Sequence, residues 1–95
     1  MAEADLAEIW AYIADESEAA ATRLLDKINA TCARLLGFPM LGPPREQLAP
    51  GLRVIFQGNY GIYYVLRDQE VIIVRVLHGA RDIAAIAEQG GFSLP

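Results

Sequence analysis

The sequence holds one cysteine and one histidine, no long apolar run and no basic cluster. A lone Cys32 cannot close an internal disulfide, and its place among helix-spaced apolar residues marks a buried thiol rather than a nucleophile. Cys32 and His78 are the only soft ligands, so a zinc site would need at least two carboxylates, and no ligand spacing is present. No metal or cofactor is expected. The longest strongly apolar runs, "VIIV" and "IYYVL", fall far short of the roughly 20 residues of a membrane span. No basic-then-apolar leader opens the chain, so a cytoplasmic protein with no membrane partner is expected. Lys and Arg are scattered through a chain of net charge −4. It therefore lacks the cationic footprint on which non-specific nucleic-acid binding depends, which counts against direct binding to DNA.

What is present is apolar. Hydrophobic residues make up 54% of the 95 positions and charged residues 21%, which excludes disorder. The length suits one domain over residues 1–95 with one functional surface. Leu6, Ile9, Trp10 and Ile13 in "ADLAEIWAYIADE" share one helix face, with Asp5 and Glu8 near the positive end of the helix. "SEAAATRLLDKINATCARLLG" carries a longer stripe: Ala21, Leu24, Leu25, Ile28, Cys32, Leu35 and Leu36. Ser17 reads as its N-cap and Gly37 as its stop, with Pro39 just beyond. The short gap between these helices predicts an antiparallel hairpin over about residues 3–37. "FPMLGPPREQLAPG", with four prolines and two glycines, is a loop over residues 38–51.

Strands are predicted at Leu52–Gln57, Tyr60–Arg67 and Glu70–Leu77, joined by "GN" and "DQ" into an antiparallel meander. A short helix follows at about residues 82–89, with Ile83 and Ile86 on one side and a Gly90–Gly91 stop. The fold class is α+β. Two-residue turns would put Arg53 opposite Tyr64, Ile73 opposite Tyr64 and Arg75 opposite Ile62. One face would then carry Leu52, Val54, Phe56, Gly61, Tyr63, Val65, Ile72, Val74 and Val76 and pack on the helix hairpin. The other would carry Arg53, Ile55, Gln57, Tyr60, Ile62, Tyr64, Val71, Ile73, Arg75 and Leu77, a mixture of aliphatic, aromatic and cationic groups.

An arginine in the middle of an apolar strand either pairs or works. Arg75 beside Arg53 and Tyr64 would make an anion-binding or protein-binding surface. Alternatively, Arg53 and Arg75 bridge to Asp82, Glu46 or the C-terminus. His78 is either a general acid/base or a strand-exit ring bonded to a neighbouring group, and nothing in the sequence supplies it with a nucleophile. Asp82 reads as the cap of the last helix, and Arg81 as an exposed contact residue.

"DLAEIWAYIA", "RLLGFPMLGPPRE" and "PGLRVIFQGNYGIYYVLRDQEVIIVRVLHGARD", in that order, resemble the ParE branch of the ParE/RelE superfamily, the toxins of type II toxin–antitoxin (plasmid stabilisation) systems. The resemblance covers about residues 3–88. It implies a helix hairpin on an antiparallel sheet and a hetero-oligomer with a cognate antitoxin, usually a ribbon-helix-helix, ParD-like protein. In this superfamily ParE members poison DNA gyrase and RelE members cut mRNA in the ribosome. Arg53, Arg75, His78, Arg81 and Asp82 fall on recurrent family positions, with Tyr60 and Tyr64 beside them on the sheet. Family members usually open with a short strand before the first helix; here Met1 is followed at once by "AEADL", so that strand is expected to be missing and a sheet edge left open.

The expected function is a binding-type toxin that inhibits gyrase, with no catalytic residues of its own. The alternatives are a RelE-like mRNA endonuclease using Arg53, Arg75 and His78, and an inactive remnant that only forms the antitoxin complex. The middle strand offers Tyr60, Ile62 and Tyr64 where a nuclease would need a base and added cations. The antitoxin is expected in a groove of the hairpin around Leu24, Ile28 and Leu35, or along the open sheet edge.

Overall fold

The computed structural model describes residues 1–94. Two helices, α1 (Ala2–Ala14) and α2 (Glu18–Gly37), precede strands β1 (Arg53–Gln57), β2 (Tyr60–Arg67) and β3 (Glu70–His78), and helix α3 (Ile83–Glu88) follows. The sheet is antiparallel in the order β1-β2-β3, so the α+β meander expected from the strand patterning is the observed one.

Local chemistry explains the element ends. Ser17 Oγ accepts the Ala20 amide at 3.1 Å and caps α2. Gly37 is the last residue of α2, not a left-handed stop beyond it; Phe38 caps the helix at φ −136°, and Pro39 bars its continuation. Gly58 supplies the positive φ of the β1–β2 turn. At the β2–β3 turn Asp68 and Gln69 both hold positive φ, 52° and 67°, the geometry of a type I′ turn. The surrounding pairing enforces it although neither residue is glycine.

The register of β1 on β2 is the expected one, Arg53 opposite Tyr64 and Gln57 opposite Tyr60. On the other side Ile73 lies opposite Tyr64, but Arg75 lies opposite Tyr63 rather than Ile62. The register shifts by one residue between Tyr63 and Tyr64, a β-bulge that admits an extra residue on β3. Side-chain parity therefore changes along β3. Ile73 and Val76 face one layer, while Val74 and Leu77 face the other.

The bulge and the tail also correct the assignment of faces. The helix hairpin packs on the face predicted to be mixed: Ile28 meets Ile62 and Val76, with Leu6, Ile9, Leu24, Ile55, Tyr60 and Ile73 around them. The uniformly apolar face of Leu52, Val54, Tyr63 and Val65 is covered by Phe92, by Ile83 and Ile86 of α3, and by Leu48 and Ala49 of the loop. With a layer on each side, β2 is buried at five consecutive positions, Gly61–Val65, and this is why it reads as an unbroken apolar run. Each large side chain so buried contributes about 1.5–3 kcal/mol.

Two stripe positions fall outside this core. Trp10 is exposed, and Leu36 projects into solvent near the end of α2. Among the described residues, no helix is long and apolar enough to cross a membrane.

Candidate functional site

The residues that the sequence grouped separate into three settings. Arg53 Nη1 donates to the carbonyls of Gly42 at 2.7 Å and Met40 at 3.4 Å. Tyr64, fully buried, accepts the Gly42 amide at 2.9 Å and donates to Pro39 O at 2.8 Å. These two residues, paired across β1 and β2, peg the 39–42 turn from within, and Tyr64 has no surface with which to meet a target.

Arg75 does not join Arg53. Its Nε and Nη2 donate to Asp5 at 2.7 and 2.8 Å, and its Nη1 donates to Gly91 O at 2.9 Å. The partner is thus Asp5, not Asp82, Glu46 or the C-terminus. The bulge turns Arg75 towards the outer edge of β3, where α1 and the tail both come within reach. Asp5 holds the guanidinium pKa above its ordinary value, chiefly through its hydrogen bonds, with Glu8 adding to the effect. Asp5 Oδ2 also accepts the Val76 amide at 3.0 Å. At that point the outer edge of β3 is closed by a carboxylate.

His78, Arg81 and Tyr60 converge with α1 on an open cleft of about 450 Å³, lined also by Asp5, Glu8, Ile9 and Tyr12. Tyr60 and His78 stand edge to face, with centroids 5.1 Å apart and an interplanar angle of 88°. His78 Nδ1 accepts the Ala80 amide at 3.0 Å, so Nε2 carries the proton when the ring is neutral. Burial, then the nearby Tyr12 phenol, push the Tyr60 pKa up. Arg81 is exposed. Asp82 caps α3 by accepting the Ala85 amide at 3.1 Å, as its sequence position predicts. The cleft combines an apolar floor, two phenols, an imidazole, the Arg81 cation and the Asp5 and Glu8 carboxylates. Such a lining can grip an aromatic group, but none of these side chains is a primed nucleophile.

Sequence reasoning missed Asp5, Glu8 and Tyr12 as cleft residues. Tyr12 had a signal: it is a large aromatic lying off the apolar stripe of α1, and it is exposed. Asp5 had none, because its partner lies 70 residues away. Of the three residues expected to line an antitoxin groove, two are buried. Ile28 is 1% exposed and Leu35 0%, both committed to the core, and Leu24 is half-buried against the same cluster. Cys32 is half-buried, and burial raises its thiol pKa, the setting of a structural thiol.

A helix hairpin on one face of a three-stranded meander, a short C-terminal helix on the other, and a "GLR…GNY…RVLHGARD" framework together define a class of small α+β toxin-like proteins. The family model described as the ParE toxin of type II toxin-antitoxin system, parDE, matches residues 1–83. A curated relative, Toxin ParE3 of Caulobacter vibrioides, is 37% identical over 65 residues, which cover 68% of this chain and 65% of that protein. The chain belongs to the ParE toxin family of type II toxin–antitoxin systems. It spans just under two thirds of the length of the curated relative it matches.

Proposed function

We propose that this protein is the toxin of a type II pair, held inactive by a cognate ribbon-helix-helix, ParD-like antitoxin, and that it acts by binding DNA gyrase rather than by covalent chemistry. The observation that carries this reading is the engagement of the two arginines beside the expected site. Arg75 donates to Asp5 and Gly91, and Arg53 donates through Nη1 to the Gly42 and Met40 carbonyls. The third strand arginine, Arg67, lies at the far end of β2 from Tyr60 and His78, which leaves little cationic charge on the sheet to neutralise a phosphate in a transition state. The net charge of −4 supports a protein target over a polyanionic one. Purified gyrase should lose supercoiling activity when the full chain is added and regain it with antitoxin; unaffected supercoiling at saturating toxin would refute the gyrase target.

One observation favours a second reading, an mRNA endonuclease. Tyr60, His78 and Arg81 share the cleft and provide an acid/base and a cation. Primer extension on translated message tests it, since cuts that disappear in His78→Ala would carry this reading and an uncut message would eliminate it.

A further inference from the structure

The 38–41 turn is exposed and apolar. Leu36 is 77% exposed, Phe38 69%, Met40 61% and Leu41 43%, and none of them lines the cleft. A mobile loop can expose such side chains without consequence, but this backbone is held. Leu41 N closes the turn on Phe38 O at 3.1 Å. Tyr64 Oη bridges Pro39 O and Gly42 N, and Arg53 reaches the Met40 and Gly42 carbonyls. At Gly42 even a Cβ would fall 2.5 Å from Val54 O and 2.9 Å from the Tyr64 ring. The fold thus spends a buried tyrosine and a strand arginine on presenting four large apolar side chains to water. The charge nearest them in the chain is net positive. Arg34 and Arg45 flank the segment and Arg53 reaches the Met40 carbonyl from beneath it, against Glu46, whose carboxylate accepts the Gly51 amide.

We infer that the Phe38–Leu41 turn is the target-binding knob, inserting Phe38 and Met40 into an apolar socket bordered by carboxylates on the target protein. The inference rests on the binding-toxin reading and gives that activity a surface. A pre-organised aromatic anchor loses little entropy on docking, which is the profile of a hot spot. Arg34 and Arg45 select an acid-rimmed socket over a basic one and speed encounter. The motif residues Arg53 and Tyr64 then serve recognition by positioning the turn, without touching the target.

The test compares the full chain with Phe38→Ser/Met40→Ser, both checked by circular dichroism and melting temperature. The probes are purified gyrase in a supercoiling assay, growth arrest on expression without antitoxin, and affinity for a purified ParD-like antitoxin that neutralises the wild-type chain. The double variant should need at least about tenfold more protein to inhibit gyrase, fail to arrest growth and bind antitoxin unchanged. Tyr64→Phe, which keeps every exposed side chain but unpegs the turn, should weaken inhibition in the same direction. Arg34→Gln/Arg45→Gln should weaken it and flatten its salt dependence.

Full potency in the double variant, or loss of antitoxin affinity with potency retained, overturns the inference. If the wild-type chain arrests growth without affecting supercoiling, the gyrase reading falls and growth arrest decides alone: arrest persisting in the double variant overturns the knob, and arrest lost with the fold intact supports it. A wild-type chain that arrests nothing overturns the knob as a target surface.

Discussion

Asp5 and Arg75, 70 residues apart, share a two-pronged ion pair at 2.7 and 2.8 Å that ties the first turn of α1 to the edge of the sheet. The same carboxylate takes the Val76 amide, and the same guanidinium takes the Gly91 carbonyl, so one contact joins α1, β3 and the tail. Removing one partner of a buried pair leaves the other charge uncompensated, which costs about 3 kcal/mol or more. Asp5→Ala should lower the unfolding free energy measured in urea by an amount of that order, and Asp5→Asn by less, because its amide oxygen still accepts from Val76. Equal losses in the two variants would show that the charge, not the hydrogen bond, is what matters.

Ile28→Asp places a carboxylate among Ile62, Val76 and Leu24 with no partner. The expected outcome is global unfolding seen by circular dichroism, not a folded toxin with a damaged antitoxin groove. A folded variant with weakened antitoxin binding would restore the groove.

Gly42→Ala and Tyr64→Phe probe the pegged turn from its two sides. The alanine Cβ meets backbone and a buried ring and should cost about 2 kcal/mol or more. The phenylalanine strands the Gly42 amide and should cost about 1–2 kcal/mol in chemical denaturation.

Burial raises the Tyr63 pKa, an effect that the Arg45 charge only partly offsets. A group whose pKa is higher when folded contributes its full stability below the unfolded value, about 10 for tyrosine, and loses it as pH rises through the folded value. Stability should therefore fall above about pH 10. Phenolate absorbance should show a late step that coincides with unfolding and is smaller in Tyr63→Phe.

The Cys32 thiol follows the same sign. Because burial raises its pKa, it should react with a thiol reagent near pH 8 more slowly than a free cysteine, and at the free rate in denaturant. Equal rates in the two conditions would place the sulfur at the surface.

Periodicity, caps and turn signals lie within a few residues of one another, and they determined the local elements. α2 with its Ser17 cap, three strands with two-residue connections, and α3 capped by Asp82 were all legible, as was the register of β1 on β2. The family was legible too, in the motif order from Asp5 to Asp82. Tertiary structure decided what depends on distant partners. A single bulge at Val74–Arg75 re-aimed an arginine from a presumed binding face to Asp5, and no local pattern announces a bulge between two runs of β-branched residues. The sheet has two buried faces because the C-terminal segment folds back to place Phe92 on Tyr63, so the hairpin could settle on the less uniform face. Exposure at Leu36–Leu41 was equally hidden, because the same apolar letters serve a core or a surface until the positions of the other layers are known.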